Sequence, residues 1–378
     1  MELELSDDQQ ALQESVRAVL ERECPMSLVR SVVEDHKHAE ELWTRMVELD
    51  WPALAVPDED GGLGLGFVEL AVVCEQLGRV LCPAPFLATA TQFVPALLAA
   101  GSAPQQHRFL GAVARDGIVG TLAVAEAGGD FDAAGVSTTA TPDGETFVLD
   151  GEKHFVFDAD VATEVVVAAR LPRTAGDDGV ALFVVPRAAF DAEPMIGLDA
   201  SRSYATVVLD AVRVEPDRVL GEPGAAAPVL HGIVQEATVA LATEMVGTCQ
   251  AIFDIVHAYV QEREQFGVKV GSFQAIKHKL ANMYVAVESA RATAYFAAAA
   301  IAESDDRRAM AVAMAKASVG DCQKLVTTEG IQCLGGIGYT WEHDMHMYVK
   351  RVKAAAPMFG SGAVHRDRVA RLSGLVGP

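Results

Sequence analysis

The spacing of hydrophobic residues divides the chain into three parts. In the first part, apolar residues recur at the spacing of one helix face between positions 12 and 20. Ser6 stands three residues before Gln9, which predicts a capping box at the start of this helix. The same period predicts further helices over residues 40–49, 68–80 and 92–100.

Hydrophobic and polar residues alternate in the middle part, from about residue 118 to 222. A period of two is typical of strands that bury one face. Turn sequences such as Pro142-Asp-Gly separate these runs. The pattern predicts a small β-barrel or sandwich, with strands over residues 147–149, 152–156, 165–169, 181–185 and 205–209.

The helical period returns after residue 226 in long segments. We therefore predict an α+β multi-domain fold, with an N-terminal helical domain at 1–117, a central β-domain at 118–222 and a C-terminal four-helix bundle at 223–378. The last helices carry more apolar positions than one bundle face needs, which predicts an oligomer. The long helical segments are 227–262, 273–303, 307–335 and 361–373.

The chain is strongly acidic, with 52 Asp and Glu against 30 Lys and Arg and a formal net charge of −22. This charge repels nucleic-acid phosphates and anionic membranes, which excludes nucleic-acid binding as a function. The six cysteines have no C-x-x-C spacing, and a helix start near Asp344 explains His343 and His346 better than a metal site does. Without a signal-peptide pattern or an apolar run of spanning length, we expect a cytoplasmic protein with no membrane insertion.

A short stretch beginning at Arg263 has the residue types of a dinucleotide site. Arginine offers a planar fork of donors for phosphate oxygens. Phe266 offers an apolar face for a flat ring, Gly267 allows a tight turn, and Gln274 opens the next amphipathic helix. An exposed arginine and a core phenylalanine in a helix–turn–helix are the competing interpretation of this stretch alone.

A second stretch follows a helical segment late in the chain. Gln332 precedes a cluster of glycines that includes Gly335 and Gly336, followed by an aromatic residue and an acid. Clustered glycines let a ligand approach the backbone, and amides there can meet a phosphate. A tight turn without a ligand is the competing interpretation.

Together the two stretches resemble the acyl-CoA dehydrogenase family. Its C-terminal domain carries R-x-x-F-G, then F-Q-x-x-x-x-x-L-A-x-M, and later Q-x-x-G-G-x-G-Y-x-x-E. The resemblance covers nearly the whole chain. Val56-Pro-Asp-Glu-Asp-Gly-Gly-Leu-Gly resembles the family's V-P-E-x-x-G-G-x-G turn, and Leu149-Asp-Gly-Glu-Lys resembles its L-N-G-x-K.

The resemblance implies FAD as the cofactor and an acyl-CoA thioester as the substrate. In the family, a glutamate takes the Cα proton while the Cβ hydride passes to flavin N5, as in fatty-acid or steroid side-chain β-oxidation. It also implies an electron-transfer flavoprotein or similar electron acceptor, and a homo- or heterotetramer. The cofactor-binding residues that it implies are Arg263, Phe266, Gln274, Gln332, Gly335, Gly336 and Phe155, whose ring can stack on the flavin.

Neither position at which the family places its base holds a glutamate. The family's E-G-T segment reads Phe359-Gly-Ser here, and the first helix after the β-domain carries Ala237 at the other base position. Glu244 is the best in-chain candidate for the base, because it lies seven residues after Ala237 on nearly the same helix face. Glu236 is the second candidate. A solvated or interface glutamate is the competing interpretation of both.

The β-domain also departs from the family around the flavin ring. The T-E-P-x-x-G-S-D loop is reduced to residues 125–130, and Phe157 stands where relatives have a threonine.

Three interpretations stay open. The chain is an active acyl-CoA dehydrogenase with a relocated base, a companion subunit of a heterotetramer whose other chain carries the base, or a flavin monooxygenase on the same fold.

Overall fold

A computed structural model describes residues 4–35 and 37–376 of the chain. The chain divides into two compact units. The first contains Met1–Lys37, Phe67–Pro83 and Thr238–Pro378, and the second contains His38–Gly66 and Ala84–Ala237. The N-terminal helices are therefore distributed between a helical unit and a unit built around a β-sheet.

The N-terminal part is helical, as its period predicts. The capping box at the first helix is present, with the Ser6 hydroxyl accepting from the Gln9 amide at 3.2 Å and the Gln9 side chain accepting from the Ser6 amide at 3.0 Å. The apolar segment after Pro85 contains a π-helical stretch, Thr89–Phe93, between two short α-helices. The helices are α1 (Asp7–Glu23), α2 (Met26–Asp35), α3 (Glu40–Glu48), α4 (Phe67–Arg79), α5 (Phe86–Ala88), α6 (Val94–Ala100) and α7 (Ala103–Asp116).

The second unit is built around an eight-stranded sheet. Its strands follow the order β6-β7-β3-β2-β4-β5-β8, and β1 pairs with β4. The long pairs β3–β7 and β4–β5 are antiparallel, and alternate residues of β4 and β5, such as Val165 and Phe183, share one buried core. The strands are β1 (Gly120–Ala123), β2 (Thr139–Asp143), β3 (Thr146–Phe157), β4 (Glu164–Arg170), β5 (Val180–Pro186), β6 (Asp191–Pro194), β7 (Tyr204–Val214) and β8 (Val219–Leu220).

Long helices form the C-terminal part, so the predicted order of helical, β and helical segments is confirmed. A short hairpin separates the first two of these helices. The domain boundaries at residues 117 and 222 stay predictions. The helices are α8 (Ala227–Glu262), α9 (Gln274–Ala302), α10 (Arg308–Leu334), α11 (Met345–Ala355) and α12 (Gly362–Leu372).

Helix α8 corrects one expectation. The sequence was expected to contain no apolar run of spanning length, yet α8 is long and apolar enough to cross a membrane. However, 78% of its most apolar stretch is buried inside the protein. Such burial is typical of a core helix, whose apolar residues pack against neighbouring helices.

Helices α4 and α8 approach each other with their backbones nearly in contact. A methyl group on Gly78 would lie 1.8 Å from the carbonyl oxygen of Glu244, and one on Gly247 would lie 1.8 Å from that of Glu75. The hydroxyl of Thr248 donates to the Gly78 carbonyl at 3.0 Å. The contact is thus reciprocal, since each helix supplies a glycine that faces a glutamate of the other.

Both glutamates at this crossing are buried, and each pairs with an arginine from a further helix. Glu75 accepts from Arg291 of α9 at 3.0 Å and from the Tyr295 hydroxyl at 2.8 Å. Glu244 accepts from Arg351 of α11 at 2.9 Å. A buried carboxylate requires such a partner because an uncompensated charge in the core is strongly unfavourable. The crossing therefore fixes the positions of four helices.

We predict that Gly78→Ala lowers the free energy of unfolding by about 3 kcal/mol or more, because the added methyl group cannot fit beside the Glu244 carbonyl. The urea midpoint measures this loss. Gly320→Ala on α10 is the matched control, since its methyl group would be 3.6 Å from the nearest atom. The control is expected to be neutral or to stabilise by up to about 1 kcal/mol. Equal midpoints for the two variants would contradict the close crossing.

Candidate functional site

The Arg263 stretch forms a hairpin at the end of α8. Strands β9 (Glu264–Gln265) and β10 (Val268–Lys269) pair across a turn in which Phe266 has φ +55° and Gly267 has φ +78°. Phe266 is 93% exposed, and Arg263 is exposed as well. Because this chain leaves an aromatic ring and a guanidinium on its surface here, both are accessible to a ligand or to another subunit.

Helix α9 begins directly after this hairpin, and Gln274 is its first residue. The Gln274 side chain is exposed. The first amides of a long helix favour negative charge. The structure therefore places Arg263, Phe266 and Gln274 along one exposed segment of the helical unit, as the sequence motif implies.

The glycine stretch lines an open cleft of about 460 Å³ in the helical unit. Helix α10 ends at Leu334, and Gly335 turns the chain with φ +66°. The predicted residues Gln332, Gly335 and Gly336 lie together in this cleft, whereas Arg263, Phe266 and Gln274 are not among its lining residues. The lining residues are Thr327, Thr328, Ile331, Gln332, Gly335, Gly336, Tyr339, Val349 and Lys353.

The loop that follows the glycines is held by α2. Arg30 donates to the carbonyl oxygens of Trp341 and Glu342, each at 3.2 Å, and pairs with Asp344 at 2.7 Å. The ring of His346 stacks on Trp341 with 4.5 Å between ring centroids. His346 thus packs on Trp341, and His343 Nδ1 accepts from the Met345 amide at 3.1 Å. Across residues 4–35 and 37–376 no group of three ligating side chains is arranged for a metal ion.

Phe155 lies near the end of β3 with φ +57° and is half-buried. Its amide donates to the sulfur of Met195 at 3.4 Å. The nearby Phe157 is buried and packs edge-on against Tyr204, with 4.9 Å between ring centroids. Phe157 therefore belongs to the core of the sheet unit, while Phe155 keeps part of its ring accessible.

The shortened loop at 125–130 is tied down by an ion pair that the sequence did not reveal. The fully buried Lys153 donates to Glu126 at 2.7 Å and to the Val124 carbonyl at 3.0 Å. Burial lowers the pKa of Lys153 to about 8, although the Glu126 carboxylate opposes that shift. Partial burial pushes the pKa of Glu126 upward, but Lys153 and hydrogen bonds from Ser137 and Thr138 together lower it to about 2. Glu126 therefore anchors its own loop.

The turn that replaces the family's E-G-T segment presents no acid. Phe359, where the resemblance implies that relatives carry a base, is buried with φ +56°. His365 Nε2 lies 2.9 Å from the Phe359 carbonyl, and Lys316 donates to the Ala355 carbonyl at 3.2 Å. Burial lowers the pKa of Lys316 to about 7 and that of His365 to about 4. Two buried bases thus support this turn.

Glu244, the predicted base, is enclosed in the core. The side chains of Glu244 and Arg351 are each 1% exposed, and Arg351 Nη1 lies 2.9 Å from Glu244 Oε1. Arg351 also donates to the carbonyl oxygens of Leu81 and Cys82, each at 3.4 Å. This geometry is that of a structural ion pair, and it argues against the predicted role of Glu244 as a base.

The second predicted base, Glu236, is half-buried on α8 next to the buried Ala237. Sequence reasoning missed Arg351 because the ion pair joins residues 107 positions apart. One signal was available: a glutamate within the apolar run of α8 needs a buried cation. The sequence alone does not say which arginine supplies it.

Comparison with known proteins agrees with this arrangement. Models of the acyl-CoA dehydrogenase N-terminal, middle and C-terminal domains match residues 6–116, 121–212 and 229–373. Acyl-CoA dehydrogenase IpdE2 of Mycolicibacterium smegmatis is 29% identical, covering 98% of this chain and 100% of that protein. The mitochondrial short-chain specific acyl-CoA dehydrogenase of Bos taurus is 27% identical, covering 97% of this chain and 90% of that protein.

Among solved structures, one chain of the ChsE4–ChsE5 complex of Mycobacterium tuberculosis matches with a TM-score of 0.89 at 23% identity, covering 100% of this chain and 100% of that chain. At that identity the likeness concerns the fold. The three domain models together match most of the chain, in the order that the hydrophobic pattern predicts. The chain therefore belongs to the acyl-CoA dehydrogenase family.

Proposed function

We propose that this chain is the subunit without a catalytic base in a hetero-oligomeric, FAD-dependent acyl-CoA dehydrogenase. In this proposal a homologous partner subunit supplies the glutamate that takes the Cα proton. The observation that carries the proposal is the closed ion pair between Glu244 and Arg351. Phe359 and Ala237, at the usual base positions, have no proton-accepting group.

A general base must reach within hydrogen-bond distance of the proton that it removes. The Glu244 carboxylate is 1% exposed and accepts from a guanidinium at 2.9 Å. To act on a substrate it would have to leave Arg351 uncompensated in the core, which costs about 3–5 kcal/mol. This energetic cost favours a partner's base over a relocated base in this chain.

Membership of the family confirms FAD as the predicted cofactor. The residues here fit its dinucleotide end, since Arg263 and Gln332 are exposed and Gly335 and Gly336 lie open in a cleft. When bound, FAD supplies the hydride acceptor. The contribution of the helical unit is to bind and orient it, with Arg263 pairing with phosphate and Phe266 offering a ring.

The exposure of these residues supports a shared site. Phe266 stands on a projecting hairpin, 93% exposed, where a second subunit can cover it. A large exposed aromatic ring is typical of an interface. The matched ChsE4–ChsE5 structure is a complex, and a complex of two homologous chains is the assembly that we propose here. The substrate is an acyl-CoA thioester, and an electron-transfer flavoprotein or similar protein accepts the electrons.

We predict that the chain alone does not turn over acyl-CoA substrates with an artificial electron acceptor, because Ala237 and Phe359 carry no acid and Glu244 is enclosed in its pair with Arg351. Co-expression with a homologous subunit is expected to give turnover. Replacing the partner's helix or E-G-T glutamate by glutamine should then cut the rate by roughly 10²–10⁴-fold. Turnover by the chain alone, lost in Glu236→Gln or Glu244→Gln, would contradict the proposal.

We also predict that Arg351→Met lowers the free energy of unfolding by about 3–5 kcal/mol, because it leaves Glu244 charged and buried without a partner. The double variant with Glu244→Gln is expected to lose much less than the sum of the single variants. Glu48→Gln is the control, since its pair with Arg45 is exposed and its loss should stay within about 0.5 kcal/mol. A normally stable Glu244→Gln variant would show that the carboxylate has no structural role.

A further inference from the structure

The dinucleotide cleft contains a lysine that the sequence motif does not include. Lys353 lies in the last turn of α11 and lines the same cleft as Gln332, Gly335 and Gly336. Thr328 and Tyr339 line it as well. A cation, hydroxyl-bearing side chains, open glycine backbone and an aromatic ring thus line one cleft of about 460 Å³.

Lys353 differs from Lys350 and Lys279, whose ammonium groups each have a partner. Lys350 lies over the Trp341 ring at 4.6 Å from the centroid, and Lys279 pairs with Glu329. Lys353 is exposed, and within the described part of the chain no carboxylate pairs with it. The chain carries a net charge of −22, yet this lysine beside the cleft has no acidic partner. Its ammonium group is therefore available to an anionic ligand.

The other walls of the cleft suit a nucleotide. A side chain on Gly335 or Gly336 would meet no described atom within 4 Å, so a ligand can approach the backbone of both residues closely. Tyr339 is 77% exposed and offers a ring face on which a base can stack. The cleft therefore combines a phosphate-binding cation with a stacking surface.

We propose that Lys353 binds the phosphates of the adenosine diphosphate half of the dinucleotide, and that Tyr339 stacks on its adenine. The inference rests on the proposed function, and it adds two ligand-contacting residues to the cleft. A lysine in the last turn of a helix also interacts favourably with the helix dipole. That role alone would affect stability and leave nucleotide affinity unchanged.

The test is titration of the full chain with ADP and with adenosine, by calorimetry. Lys353→Met is expected to weaken ADP binding by roughly 10- to 100-fold, the loss of a charge-assisted hydrogen bond, and to leave adenosine binding unchanged. Tyr339→Ala should weaken both ligands. Lys350→Met, three residues earlier on the same helix and held over Trp341, is the matched control and should bind both ligands as the unaltered chain does.

Unchanged ADP affinity in Lys353→Met, equal losses for ADP and adenosine, or no ADP binding by the unaltered chain would each overturn the inference. These outcomes are separable from failure of the proposed function. If the assembled enzyme turns over acyl-CoA while Lys353→Met keeps its ADP affinity, only the inference fails. If Lys353→Met loses ADP affinity while no partner restores turnover, the inference stands and the proposed function fails.

Discussion

The close crossing of α4 and α8 is the contact on which the helical unit depends. Two glycines, Gly78 and Gly247, bring the backbones of the helices to within contact of each other's carbonyl oxygens. This approach places Glu75 and Glu244 in the core, where each carboxylate needs a cation. Arg291 and Arg351 supply those cations from α9 and α11, so a steric constraint between two helices determines where two others must pack.

The same helix crossing determines whether Glu244 can act as a base. Glu244 lies on nearly the helix face from which the resemblance implies that relatives direct a carboxylate at their substrate, but here it pairs with Arg351 in the core. The turn at Phe359 is fixed by buried bases and carries no acid. The residues that we propose for dinucleotide binding at the Arg263 hairpin and the glycine cleft, in contrast, lie on the surface. In the function that we propose, this chain therefore keeps its structural and cofactor-binding parts, and a partner subunit removes the proton.

The fold was predictable because its signals are local. The short β-rich runs such as residues 165–169 and the helical period after residue 226 need only neighbouring residues, as do the motifs at Arg263 and Gly335. The role of Glu244 was not predictable, since its partner is 107 residues away. The burial of Lys153 was not predictable either. A lysine in a strand suggests a surface position until its pairing with Glu126 is known. Nothing in the sequence shows that Gly78 and Gly247 each face a carbonyl oxygen of the other helix.

Flavin content per subunit distinguishes a cofactor site shared with a partner from a site that this chain completes alone. The chain purified alone and the chain co-purified with a homologous subunit should be compared by flavin absorbance, with the molar mass of each sample measured by light scattering. If the site is shared, the isolated protein holds well under one FAD per chain, and co-expression gives a mixed oligomer with a fixed FAD ratio. A monomer or homo-oligomer that holds one FAD per chain would contradict a site shared with a partner.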